Sequence, residues 1–413
     1  MRALKHVLAG LVYRASYRVT RGFMDRLLAG SGPGAASAVE RALRGGCRVD
    51  TLYIHIPFCR MPCSFCCFVR MPYREDLYWR YLRALLRELE EYASLLEGGV
   101  SIYIGGGTPT INHEGLLTLL ERVRELFSPR DVSVEANPST VTPELVKQLA
   151  GLGVTRLSIG VQSLDPGVLR LIGRRNHTPA QALEAVRAAA GRIPVVNVDL
   201  VWGVREVPVE GVLRDAARLA GLGANQVTFY PLTSGLKGLP LTPLTPREEY
   251  RCYSAIYRAM RGLGFTPSTA WHYSRVEGAM VDEYIVESYN YAGAGLSSIG
   301  RLGGVSYANT FNIEKYIDRA GSGRLSAVMA TEMTRAEQSL YELSMQCFGL
   351  RVRLPPPSGT PAYARLLLRL LFHRVDGYMA VKDVESQYLV NVVMRGFIAG
   401  VTWFRRRALR ARI

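Results

Sequence analysis

The chain has 413 residues, 48% hydrophobic and 21% charged, enough for one large globular domain with an appendage or for two domains. Seven cysteines, an odd number in a long chain, argue against a secreted disulfide framework and for a reducing compartment, where clustered thiols bind metal. The formal net charge of +16 asks for an anionic partner: a nucleic acid, a membrane surface or an acidic substrate.

The opening stretch, MRALKHVLAGLVYRASYRVTRGFMDRLL, is no secretory signal, because Arg14, Arg18 and Arg21 interrupt its apolar run. Leu4, Leu8 and Leu11 fall at helical spacing and the arginines follow at similar spacing, so residues 1–50 read as a basic amphipathic extension. From residue 51 the pattern becomes regular. Strands are predicted at 51–56, 101–104, 131–136, 155–161, 194–201 and 226–232. Between them run helices at 76–96, at 113–127, after Thr142 and Pro143, through about residue 190, and around 210–223. Alternation with short connections implies a parallel sheet, because each helix must cross back over it. An open doubly wound sheet and a full or partial barrel both satisfy this pattern, and both gather ligands at the carboxyl ends of the strands.

After about residue 240 the alternation stops, and GLKGLPLTPLTP reads as a linker into a less regular region, 241–413. That region carries NYAGAGLSSIGRLGG and ends on YLVNVVMRGFIAGVTW, followed by Arg405, Arg406, Arg407, Arg410 and Arg412. An apolar face with Trp403 beside an arginine cluster suits a helix in a membrane interface, and equally a core helix with a solvated basic tail. No stretch is long and apolar enough to span a bilayer, so the expected location is the cytoplasm, with peripheral contact to the inner membrane face through the basic termini.

The densest chemistry is FCRMPCSFCCFVR, residues 58–70. Cys59, Cys63 and Cys66 are spaced C-x3-C-x2-C, with no second pair elsewhere to complete a four-ligand zinc site. Three thiolates on one loop fit an iron–sulfur cluster with one iron left without a protein ligand. A loop of this spacing after a first strand, with an aromatic before the last cysteine, resembles the radical S-adenosylmethionine enzymes. YIHIPFC, YIGGGTPT, VEANP, RLSIGVQSLDPGVLRLIGR and NVDLVWG, in that order across 51–232, resemble oxygen-independent coproporphyrinogen III oxidase and its relatives.

The resemblance implies an α/β fold: a partial (β/α)6 barrel over 51–240, with an N-terminal helical extension and a C-terminal α+β accessory region that caps the barrel mouth. It implies a [4Fe–4S] cluster on Cys59, Cys63 and Cys66, and S-adenosylmethionine, one molecule for the radical and a second if carbon is transferred. It makes Tyr53 and His55 catalytic candidates. Tyr53, Gly105, Gly106, Gly107, Thr108, Glu135, Gln162, Arg174 and Asp199 become the residues that hold S-adenosylmethionine. Glycines admit close backbone approach, a carboxylate such as Asp199 suits ribose hydroxyls, and Arg174 suits a carboxylate. Gly293, Gly295 and Ser297 resemble a segment near the cofactor. The tyrosines of WHYSRVEG and ESYNYAG read as core first and pocket lining second.

Two departures steer the reaction. The resemblance places a further cysteine two residues past the third ligand, where this chain has Phe68, preceded by Cys67; and GVREV stands where the oxidases carry another loop. With CSFCCFVRMPYRED these features resemble the C-methyltransferase branch, and the expected reaction is methylation of an aromatic ring carbon in a lipophilic acceptor such as menaquinone. Porphyrinogen decarboxylation and haem chaperoning are the alternatives. The expected partners are a hydrophobic aromatic small molecule and a reduced electron donor. No RNA-binding signature accompanies the charge, which argues against nucleic acid.

Overall fold

A computed structural model describes residues 2–96, 99–232, 239–281, 284–286 and 289–413, with side chains from Leu8 onward, Tyr284 excepted. The side chain of Leu4 and residues 235–238 of the expected linker lie outside that set. Two helices, α1 (Arg2–Ala29) and α2 (Gly34–Arg44), precede the sheet. Six strands then run parallel: β1 (Thr51–Ile56), β2 (Ser101–Gly106), β3 (Val132–Ala136), β4 (Arg156–Gln162), β5 (Val195–Trp202) and β6 (Gln226–Pro231). They are separated by α3 (Glu75–Leu95), α4 (His113–Phe127), α5 (Pro143–Gly151), the pair α6 (Pro166–Leu171) and α7 (Pro179–Ala189), and α8 (Val209–Gly221). Strand interiors are buried on both faces, as expected of a sheet covered by crossover helices. Four of these helices, α4 to α7, begin at a side-chain cap: the Thr142 hydroxyl accepts from the Leu145 amide, for example, and Thr178 and Gln181 form a reciprocal box.

The strands neighbour one another in chain order, with no reversal. A doubly wound sheet requires a reversal, so the choice left open by periodicity falls to the partial barrel. The sheet also continues at both edges. β7 (His272–Ser274) runs antiparallel to β6, and a two-residue strand, Thr266–Pro267, flanks it. At the other edge β8 (Tyr291–Ala294) lies parallel to β1, with Gly293 opposite Tyr53. Then come the antiparallel strands β9 (Ile299–Leu302), β10 (Val305–Asn309) and β11 (Ala327–Glu332), making twelve strands in one sheet.

The accessory helices are α9 (Pro246–Gly262), α10 (Ile313–Gly321) and α11 (Arg335–Phe348). A small antiparallel sheet, β12 (Arg351–Arg353), β13 (Phe372–Val375) and β14 (Tyr378–Val381), carries α12 (Ala362–Leu371) over a second core that includes Leu343, Phe348, Val352, Leu368 and Phe372. The chain ends on α13 (Val384–Ala411).

α1 and α13 lie along each other. The Ser16 hydroxyl donates to the Val393 carbonyl at 2.7 Å, and Gly396 and Gly400 let the backbones close. A Cβ on Gly396 would come within 2.6 Å of the Tyr13 carbonyl oxygen, and one on Gly400 within 2.7 Å of Thr20. The polar breaks in the final helix find partners inside the protein, although Asn391 Nδ2 and Arg395 Nε are buried without a hydrogen-bond partner. Asn391 accepts from the Trp271 indole at 2.7 Å, and Arg395 pairs with Glu249. Trp403 has Arg21 at 4.8 Å and Arg407 at 5.7 Å from its ring centre. Trp403 and the small residues of this terminus therefore serve helix pairing, while Arg406, Arg410 and Arg412 stay exposed.

Candidate functional site

One cavity of about 460 Å³ opens at the carboxyl ends of the strands. Among the expected site residues, Tyr53, His55, Cys59, Cys63, Cys66, Gly106, Gly107, Thr108, Glu135, Gln162, Arg174 and Asp199 line it. Gly105 does not: a Cβ there would meet the Glu135 carboxylate at 2.7 Å. Gly106, at φ +118°, makes room for the His55 ring, and Gly107 lies against the backbone of Phe58. These glycines admit protein neighbours before any ligand.

The strand ends hold their polar groups firmly. Glu135 accepts from the Tyr103 hydroxyl at 2.9 Å and from the Gly106 amide at 3.0 Å. Asp199 accepts from Asn197 at 2.8 Å, with the Ser158 hydroxyl at 3.4 Å. Gln162 sits at φ +69°, next to an irregularity in the β4–β5 pairing. This left-handed conformation turns the chain where β4 ends.

His55 is buried, and its Nε2 lies 2.9 Å from the Val69 carbonyl, which can only accept. Nε2 therefore carries the proton, and Nδ1 accepts from the Tyr53 hydroxyl at 2.8 Å. Burial pushes the imidazole down to about 4, so it stays neutral, while burial and then Glu135 hold the Tyr53 phenol well above its usual range. The pair is a fixed donor–acceptor relay at the foot of the cysteine loop.

All seven cysteines are free thiols. The Thr108 hydroxyl donates to Cys59 Sγ at 3.6 Å, and Arg174 Nη1 donates to Cys63 Sγ at 3.4 Å. Burial raises the Cys59 thiol and pushes Cys66 up to about 12. Among the described residues no three His, Cys, Asp or Glu side chains are grouped to hold a single metal ion. The three sulfurs instead line one cavity, a set of soft donors that suits a multi-iron cluster. The Nε atoms of Arg174 and Arg70 are buried without hydrogen-bond partners, and both side chains also bond at Cys63, through its sulfur and its carbonyl. Unused cationic donors beside the thiols fit an anionic thiolate cluster and a carboxylate-bearing cofactor.

The far wall was not visible in the motifs. It comes from Phe23, Met24 and Leu27 of α1, Phe397 and Val401 of α13, and Tyr341 of α11. Two arginines enter this apolar chamber. Arg301 is buried, its Nη1 donating to the Tyr289 carbonyl at 2.5 Å, with the Tyr341 ring centre 4.6 Å away. Arg405, on α13, lies 4.8 Å from the centre of the Phe68 ring and has no hydrogen bond or ion pair among the described residues. Ser297, at φ +58°, lines the cavity; Gly293 and Gly295 do not. Tyr291 lines it too, whereas Tyr273 packs edge-on against Phe229 in the core. Glu287 and Ser288 of ESYNYAG lie outside the described residues. A helical stripe looks alike whether it meets lipid, core or ligand, so only the tertiary pairing exposes this wall.

The radical SAM superfamily profile matches residues 53–219. Along most of its length the chain is similar to the oxygen-independent coproporphyrinogen III oxidase of Bradyrhizobium diazoefficiens, 28% identical over 395 residues, covering 84% of this chain and 86% of that protein. It is also similar to the heme chaperone HemW of Lactococcus lactis, 26% identical over 312 residues, covering 71% of this chain and 80% of that one. Over 193 residues it is 34% identical to the HemW of Mycobacterium tuberculosis, covering 44% of this chain and 49% of the relative. The solved coproporphyrinogen III oxidase of Escherichia coli superposes with a TM-score of 0.71 at 20% identity, covering 87% of this chain and 93% of that one, which establishes the fold. Residues 53–219 form a radical SAM domain, and along most of its length the chain is similar to the oxygen-independent coproporphyrinogen oxidases and their relatives. Its cofactors are a [4Fe–4S] cluster and S-adenosylmethionine. None of the relatives described here is a quinone methyltransferase, so the expected methylation of menaquinone gives way to the oxidase and chaperone alternatives. No helix among the described residues is long and apolar enough to cross a membrane.

Proposed function

We propose that the protein uses radical SAM chemistry on a tetrapyrrole, with oxidative decarboxylation of a coproporphyrinogen-type substrate as its reaction. The observation that carries this reading is Arg405. A cation without an acidic partner among the described residues enters an apolar chamber continuous with the cysteine loop, where a ring carboxylate would pair with it. The chamber volume suits a ligand that must be mostly enclosed.

In this reading Cys59, Cys63 and Cys66 ligate the cluster. Glu135, Gln162, Arg174 and Asp199, with the Gly106–Thr108 backbone, hold S-adenosylmethionine. When bound, the two cofactors supply a 5′-deoxyadenosyl radical, fed by a reduced electron donor. The chain's own part is to bind, orient and exclude water. Glu135 and Asp199 are pre-set by Tyr103, Gly106 and Asn197, so their oxygens need little reordering when a ligand arrives. The Tyr53–His55 relay fixes a neutral imidazole under the loop, and the apolar α1–α13 wall keeps the reacting space dry.

Haem chaperoning is the second reading. It is favoured by Phe68, which stands where the resemblance to the oxidases asks for a cysteine. Both are tested on the anaerobically reconstituted protein, in one assay with reductant, methyl-deuterated S-adenosylmethionine, coproporphyrinogen III and a menaquinone and in a parallel titration with haem. The proposal expects loss of carboxyl groups from the porphyrinogen, read by mass spectrometry. Stoichiometric haem uptake with the porphyrinogen unchanged assigns the chaperone reading. A labelled methyl group on the quinone overturns both.

A further inference from the structure

α12 turns an apolar face to solvent. Ala364 and Leu368 point inward, onto the second core with Phe372. Tyr363, Leu366, Leu367 and Leu370 are 58, 59, 42 and 54% exposed, and their spacing of three, one and three residues sets them in a single stripe. Of the nine large apolar side chains exposed among the described residues, four fall on this ten-residue helix. Scattered exposed apolar side chains need no explanation, but a contiguous stripe does.

The segment that carries the stripe is basic. Arg365 and Arg369 flank it on α12, and the small sheet and its exit add Arg351, Arg353, Arg374 and Lys382. Between residues 351 and 382 these six cations face one carboxylate, Asp376, and none of the six forms an ion pair among the described residues. Lys382 Nζ donates to the Arg369 carbonyl at 2.6 Å, tying the end of the helix to the sheet.

We propose that α12 docks this protein on an anionic lipid bilayer. Tyr363, Leu366, Leu367 and Leu370 enter the boundary between headgroups and acyl chains, and the flanking arginines meet lipid phosphates. Charge selects this occupant over a second copy of the chain, because two copies stacked on α12 would bring twelve like charges together with only two carboxylates to offset them. The docking element is distinct from the terminal helices, whose apolar faces pack on each other and line the cavity. It stands whichever substrate reading holds.

The test is cosedimentation of the full-length, cluster-loaded protein with vesicles of phosphatidylcholine alone or mixed with phosphatidylglycerol, at low and high salt. Binding is expected only to the mixed vesicles and is expected to weaken as salt rises. The double variant Leu366→Glu/Leu370→Glu should bind at least about tenfold more weakly, with unchanged cluster absorbance and unchanged melting temperature. The control Leu11→Glu/Val19→Glu, on exposed positions of α1, should bind as the parent does. The proposal is overturned if the parent ignores anionic vesicles, if the α12 variant still binds them, or if the control also fails to bind. A dimer in sedimentation velocity that the α12 variant abolishes would assign the stripe to a second copy instead.

Discussion

One wall of the cavity is made of strand ends whose polar side chains are held by their neighbours; the other is made of helices from opposite ends of the chain, packed through small residues and lined with apolar side chains. The first wall is local. Glu135, Asp199, His55 and the cysteine loop lie within a few residues of a strand terminus, and Glu135, Asp199 and His55 are each held by a hydrogen bond from the same or the adjacent strand. The second wall joins Ser16 to Val393 across nearly the whole sequence. The strand ends fix the chemistry the fold can host, and the helices fix what enters. Substitutions on the two walls should therefore separate into different readouts.

The largest effect is expected at Glu88, which braces the seam between the barrel and its C-terminal extension. This fully buried carboxylate accepts from the Gly295 and Ser326 amides at 2.8 and 3.0 Å, from Tyr316 at 2.7 Å and from Asn309 at 3.2 Å. Every partner is a donor, and they are shared between both oxygens. Glu88→Gln would turn an N–H group toward donors on one side, whichever way the amide is flipped, costing about 3 kcal/mol in denaturant unfolding. Burial pushes the Glu88 carboxyl up, against the pull of these donors. Its folded value then lies above its unfolded one, so this group makes stability fall as pH rises from the unfolded toward the folded value, and the Gln variant lacks that slope. A variant as stable as the parent, with the same pH profile, would remove Glu88 from this role.

Gly396→Leu attacks the helix wall directly. The new side chain meets the Tyr13 carbonyl, a backbone atom that cannot rotate away, so a loss of about 2 kcal/mol is expected. Cluster loading on the strand-end wall should survive. If the variant loses the cluster along with stability, the two walls are one cooperative unit and the distinction drawn here fails.

The six strands and their helices were legible in the sequence because most of the helices carry a cap and the strands are apolar runs buried on both faces. Periodicity left the winding open, and the strand order closed it. The site residues on the strand ends were legible because their spacing is local. The glycines at 105–107 were legible as necessary but not for the reason they are needed, which is the bulk of Glu135, His55 and the Phe58 backbone. Arg405 and the α1–α13 pairing were not legible. An arginine cluster after an apolar helix has the same pattern whether it meets phosphates or walls a cavity, and the deciding contact, Phe68, is more than three hundred residues away.

That contact sets the next prediction. If Arg405 receives a substrate carboxylate, Arg405→Met should raise KM for a carboxylated ring substrate by about ten- to a hundredfold, the worth of one charge-assisted hydrogen bond. The kcat for that substrate should change much less, and Arg405→Lys should recover part of the loss, because a point charge replaces a fork. An equal fall in kcat with KM unchanged would move Arg405 from binding to the reacting centre.

The smallest effect has the opposite sign, and it checks that the glycines of the helix wall differ for a physical reason. Gly22 lies in α1 like Gly396 and Gly400 in α13, but a Cβ there would meet nothing within 4 Å, and its φ is not in the left-handed range. With no close approach to protect, glycine there only adds backbone freedom to the unfolded chain. Gly22→Ala should raise stability by about 0.5–1 kcal/mol, seen as a higher denaturant midpoint with an unchanged slope. Loss of stability would mean that α1 is held more tightly at its exposed face than its packing shows. A gain at Gly22 beside a loss at Gly396 would locate the helix contact at one turn of α13, where the backbone of α1 leaves no room for a methyl group.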